Sequence, residues 1–267
     1  MSTTTTVDAN GTKHIRVDTF TGDLVHDDNS GSIIDGNAGN DTIYGAGGND
    51  TIVGDNGDDK IYGGAGNDAA FGGGGNDTLK GGDGNDGLVG DGGNDVINGG
   101  KGDDKLWGFS PFASMSSPGS DNDTIHGGSG NDSIYGGGGD DVLFGGKDND
   151  SIDGGEGNDI IKGGQGTDTL TGGGQDVFVW CKADIEKTTT GPDHITDWVK
   201  GDVIQLRGSS EGEHPNHSAQ VQVTDTADGE MISVQFGKGQ AFVDVVMLDG
   251  QHGLTAADLL QSGALLV

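Results

Sequence analysis

The chain has 267 residues, 57 of them glycine and only 30% hydrophobic, so a single large apolar core cannot organise much of its length. Asp and Glu number 44 against 13 Lys and Arg, a formal net charge of -31, which argues against binding DNA, RNA or anionic lipid by charge attraction and makes cations the natural partner. The one cysteine, Cys181, cannot form an intramolecular disulfide, so whatever staples so glycine-rich a chain must come from elsewhere, with metal the obvious candidate.

Residues 1–35 open on a Thr-rich stretch without the apolar run of an export signal peptide, and no segment anywhere approaches the roughly eighteen apolar residues of a membrane span. His14 to Phe20 reads as one strand. Asp27 to Asp35 reads as a degraded repeat lacking Asp at its sixth place, and residues 1–35 are expected to form an N-terminal cap.

From Gly36 the chain divides every nine residues, beginning GNAGNDTIY, GAGGNDTIV, GDNGDDKIY and ending GGKGDDKLW at Trp107, eight copies without a gap. An insertion, residues 108–117, interrupts the register; it is more apolar than its surroundings and would expose Phe109, Phe112 and Met115. A bulging loop is the plain expectation for it and a partner contact the alternative. Six further copies run from PGSDNDTIH at Pro118 to GGQGTDTLT ending at Thr171.

The sixth position of all fourteen copies is aspartate: Asp41, Asp50, Asp59, Asp68, Asp77, Asp86, Asp95, Asp104, Asp123, Asp132, Asp141, Asp150, Asp159 and Asp168. Position eight is Ile or Leu in every copy but the fourth, where Ala70 stands, and position one is Gly in every copy but the ninth. Glycine takes positive φ without steric cost, so such a loop can curl and turn carbonyl oxygens toward one centre. One carboxylate per loop completes the all-oxygen ligand set that Ca²⁺ prefers, and the absence of repeated His or Cys excludes a zinc or copper array. The last three residues of each copy alternate as a strand does, with the aliphatic residue inward. Position nine then forms outward columns, Val53, Phe71, Val89 and Trp107 in alternate copies and Tyr44 and Tyr62 in the others, expected to stiffen the faces by same-face packing or else to offer a sugar- or partner-binding stripe.

After Thr171 the segment GGGQDVFVW is one residue short in its loop, with Asp176 a last, imperfect candidate ligand. Beyond it the composition changes. Stretches near 219–225, 230–236 and 241–248 read as strands and Thr255 to Gln261 as a short helix.

The pattern GGxGxDxUx, with U a large aliphatic residue, resembles the RTX (repeats-in-toxin) calcium-binding proteins. The resemblance implies an all-β fold, a right-handed parallel β-roll of nonapeptide repeats over 36–180 closed by a C-terminal β-rich cap over 181–267. In that family two copies make one turn, so Asp41 would sit over Asp59 and Asp50 over Asp68, each Ca²⁺ held between stacked loops by position-six carboxylates and loop carbonyls. The elements Asp176-Val-Phe-Val179 and Ile195-Thr-Asp-Trp198 resemble the segments that close such rolls in serralysin-type proteases and mannuronan epimerase modules. The ending Ala264-Leu-Leu-Val267 suits an uncleaved signal for a type I secretion apparatus, though no acidic residue directly precedes it. The resemblance thus implies a secreted protein that folds on Ca²⁺ outside the cell and acts without catalysis on a cell-surface or membrane partner. The alternative is a polysaccharide-associated module.

No enzyme is expected on this chain. The H-E-x-x-H zinc helix is absent, and Gly208-Ser-Ser-Glu-Gly212 matches G-x-S-x-G without the strand–turn–helix setting of a nucleophile elbow. His214 and His217 are more naturally solvated than metal-bound, and no phosphate-cradling loop is present.

Overall fold

A computed structural model describes residues 3–7, 12–17, 22–28, 30–109, 121–185, 191–207, 219–236, 243–251, 253–256, 259 and 265–266. The motifs at 208–212, His214, His217, Phe112, Met115, and Ala264 and Val267 of the C-terminal ending lie outside them.

Successive copies alternate between two sheets, so each strand pairs in parallel with the strand two copies away. Among the described residues one sheet has 14 strands and the other 11. Tyr44 lies beside Tyr62, Val53 beside Phe71 and Val89 beside Trp107, the eighteen-residue register of a two-copy turn. The fold is the expected β-roll, all-β among the described residues apart from a helical turn at Lys182–Ile185 and helical geometry at Ala256 and Leu259.

The strands are longer than the three residues expected. Thr42–Gly47 is typical: it runs through positions seven to nine and on into positions one to three of the next copy. Position eight points inward, and two columns of fully buried side chains face each other, among them Ile43, Ile61, Leu79 and Ile97 from one sheet and Ile52, Leu88 and Leu106 from the other. Alternation carries position one inward too, and there glycine is required because position six already fills the space. A methyl group on Gly45 would lie 2.5 Å from Asp50 Oδ2 and 2.6 Å from the carbonyl oxygen of Gly63.

Three expected boundaries move. Coils begin before residue 36, since Lys13–Val17 pairs in parallel with Ser32–Asp35 and Leu24–His26 with the strand at Thr42. The roll also continues past 180: Val177–Cys181 pairs in parallel with Val203–Arg207, and Asp193–Ile195 joins both Thr169–Thr171 and Val243–Asp249. Antiparallel pairing closes the 14-stranded sheet at each end, at Thr3–Val7 on one side and at Ala219–Asp225 with Gly229–Phe236 on the other. Finally, Gly108 and Phe109 belong to the roll and not to the insertion. Gly108 occupies position one of the ninth loop beside Asp123 Oδ2, the Phe109 ring packs on Gly137, and the chain is back in register at Asp121. Across this interruption the spacing grows by ten residues, yet Trp107 still pairs with Tyr135.

Candidate metal centres

The loops stack along two edges. Asp41, Asp59, Asp77, Asp95, Asp123, Asp141 and Asp159 follow one edge, and Asp50, Asp68, Asp86, Asp104, Asp132, Asp150 and Asp168 the other. In all fourteen, Oδ1 accepts a hydrogen bond of 2.7–2.9 Å from a backbone N–H of the loop stacked before it, as Asp68 Oδ1 does from Asp50 N–H. Each of these residues is at most 4% exposed, and in all but Asp123 the second oxygen, Oδ2, is buried with no hydrogen-bond partner.

A buried carboxylate oxygen without a donor costs several kcal/mol unless a cation or a proton compensates it. Among the described residues no ion pair ends on any of the fourteen. Burial therefore pushes their carboxyls up against the lowering effect of the backbone N–H bond, to about 7 at Asp59, about 8 at Asp95 and about 9 at Asp150, with neighbouring Asp charges adding to the rise. The donor set fits a hard cation: in every loop but that of Asp168, Oδ2 converges with a position-one carbonyl beside a glycine that leaves the space open. No three acidic, His or Cys side chains form a cluster among the described residues. With one carboxylate per loop, carbonyl oxygens have to supply the remaining ligands.

A second ladder runs outside the first and went unread in the sequence. The position-five side chain accepts from the N–H of position five in the following stacked loop, as Asn49 Oδ1 does from Asn67 N–H at 2.9 Å and Asn67 Oδ1 from Asn85 N–H at 3.0 Å. The two ladders point in opposite directions along the edge. Where position five is Asp, both stacked neighbours are Asn: Asp58 lies between Asn40 and Asn76, Asp103 between Asn85 and Asn131, and Asp140 between Asn122 and Asn158. No two carboxylates therefore adjoin in this exposed column.

Four more aspartates join the inner rows. Asp23, one turn before Asp41, carries the position-six role in a coil whose eighteen-residue spacing and inward Val25 were legible in the sequence. Asp176 keeps the role despite its shortened loop, with its Oδ1 bonded and its Oδ2 unpartnered. Asp193 and Asp202 end the rows, but there the second oxygen is satisfied, by the Trp180 indole N–H at 2.6 Å and by the Val199 N–H at 2.8 Å. Their irregular spacing from the last repeats hid both from sequence reading.

The family model described as RTX calcium-binding nonapeptide repeat (4 copies) matches residues 28–61, 35–70, 46–79, 53–88, 80–108, 118–152 and 144–179, more than half of the chain. The chain belongs to the RTX calcium-binding repeat family. No curated protein gives a match. Membership makes this a calcium-binding repeat protein.

Proposed function

We propose that the fourteen position-six aspartates, with carbonyl oxygens of their loops, hold two rows of Ca²⁺ ions, and that near neutral pH the roll forms only when those ions bind. The observation that carries this is the line of buried, unpartnered Oδ2 atoms along each edge. Stacked carboxylates repel one another, and a bound dication removes that repulsion while supplying the missing partner. Extracellular calcium modules work at about 10⁻⁴ to 10⁻³ M, so the reading includes export of an unfolded chain by a type I apparatus and folding outside the cell. There the protein acts as a non-catalytic interaction module at a surface. Far-UV circular dichroism during Ca²⁺ titration of chelated protein, with Mg²⁺ as control, tests it. A cooperative gain of β signal with Ca²⁺ alone is expected, and a β spectrum indifferent to chelation and shown by metal analysis to be ion-free would overturn it.

A second reading is polysaccharide binding. Its support is the position-nine column on the 14-stranded sheet, where Phe71, Val89, Trp107 and Tyr135 follow one another and the Trp107 and Tyr135 rings stack with centroids 5.9 Å apart. Retention of the calcium-loaded protein on a polysaccharide column, abolished by Trp107→Ala, would favour it.

A further inference from the structure

The Asp50 edge begins with a loop that breaks the repeat pattern at two positions. Asp27 holds position one: its N–H donates to the Tyr44 carbonyl at 2.9 Å, as that of Gly36 does to Val53. Ser32 holds position six: its N–H donates to Asp50 Oδ1 at 2.7 Å, but its short side chain brings no carboxylate. The carboxylate stands instead at position one, the place that glycine otherwise keeps because position six fills it. With serine at position six, that space is free. In the regular loops a Cβ at position one lies beside the position-six oxygen and the position-one carbonyl of the next stacked loop. The same register sets the Asp27 side chain beside Ser32 and the Gly45 carbonyl.

The Asp27 side chain is fully buried. Oδ1 is paired with the Lys13 ammonium, which also reaches Asp28 Oδ2 at 3.2 Å, while Oδ2 has no partner, as in the regular loops. Lys13 itself pairs in register with Ser32, so the position-six column of this edge reads Lys13, Ser32, Asp50, Asp68. One step outside Asp27, a tethered ammonium takes up the position-one carboxylate of the next loop.

We propose that Asp27 supplies from position one the carboxylate that Ser32 lacks, making a further calcium site between its loop and the Gly45–Asp50 loop, with the Lys13 ammonium closing the row on its outer side. The site rests on the reading of unpartnered row carboxylates as calcium ligands. It extends the Asp50 row by one ion.

Counting bound Ca²⁺ by native mass spectrometry of the full chain tests the site. Asp27→Asn is expected to lose one equivalent and Lys13→Met none, while the exchange Asp27→Gly with Ser32→Asp, which returns the carboxylate to position six, regains the wild-type count. Dichroism of the same samples reports whether each variant folds. An unchanged count in Asp27→Asn, or an equal loss in Lys13→Met, would mean that Asp27 serves only the ion pair and would overturn the proposal while leaving the rows intact. Wild-type protein that takes up no Ca²⁺ would remove the rows and this site together.

Discussion

Asp50 and Asp68 are joined by a single hydrogen bond, from the backbone N–H of the first to Oδ1 of the second at 2.8 Å, which aims the other carboxylate oxygen of Asp68 into its own loop without a partner. One side chain thus fastens two turns together and presents a ligand atom. Asp68→Ala removes both functions. It is expected to raise the Ca²⁺ midpoint of the dichroism transition several-fold, consistent with about 1–3 kcal/mol for a lost charge-assisted hydrogen bond. Combined with Asp86→Ala, which shares its ladder, the effects should be non-additive, and combined with a substitution on the other edge such as Asp95→Ala they should add. Equal coupling within and between edges would count against independent rows.

Protons and Ca²⁺ compete for the same oxygens. Burial raises the row carboxyls from 3.8 to about 6 at Asp77, Asp86, Asp132 and Asp168 and to about 7 at Asp50, Asp104 and Asp141. A group whose folded value is raised gives stability that is fully present below its unfolded value and is lost as pH rises through the folded one. The ion-free roll should therefore be most favoured below about pH 4, weaken as pH rises from there and be lost by about pH 9, the top of the range these carboxyls reach. The Ca²⁺ concentration needed to fill the sites of the folded roll should fall over the same range as the carboxyls shed protons. Dichroism of chelated protein at pH 5 and pH 8 checks the first point, and titrations at both pH values check the second. A spectrum independent of pH would contradict the burial of these groups.

Positive φ recurs at positions two and four. Ala46 carries it at 75°, where glycine would do so without strain, so Ala46→Gly is expected to stabilise the calcium-loaded roll by about 1 kcal/mol. Gly66→Ala should act oppositely and more strongly, because at φ 131° the new methyl would land on the carbonyl of Gly48 in the stacked loop. Thermal melts in saturating Ca²⁺ separate the two, and shifts of the same sign would show that strain at position two is absent.

At the end of the Asp50 edge the Trp180 indole N–H occupies Asp193 Oδ2, the oxygen that stands free along the row. Trp180→Phe strands that oxygen in a buried site and is expected to cost about 1–3 kcal/mol in the melt of the calcium-loaded protein. The calcium count should not fall, since Asp193 terminates the row. A lower count by native mass spectrometry would make Asp193 a ligand instead of a stop.

The sequence alone determined the repeating part. A nine-residue period that keeps Asp41 through Asp168 at one position and an aliphatic residue at another needs no tertiary knowledge to predict an inward column and a repeated carboxylate, because each coil meets only copies of itself, and the resemblance to RTX repeats implied the two-copy turn that stacks them. Where the period fails, local pattern no longer carries the geometry. That Gly108 and Phe109 remain in the ninth loop, that Asp193 and Asp202 end the rows, and that Lys13 lies against Asp27 are set by contacts between residues 14 to 28 apart at irregular spacing, which only the stacked fold brings together. The outward half of the loops was hidden for another reason. Asn and Asp at position five look like ordinary polar surface until stacking shows each side chain accepting the N–H of the next turn, a bond that exists only between coils.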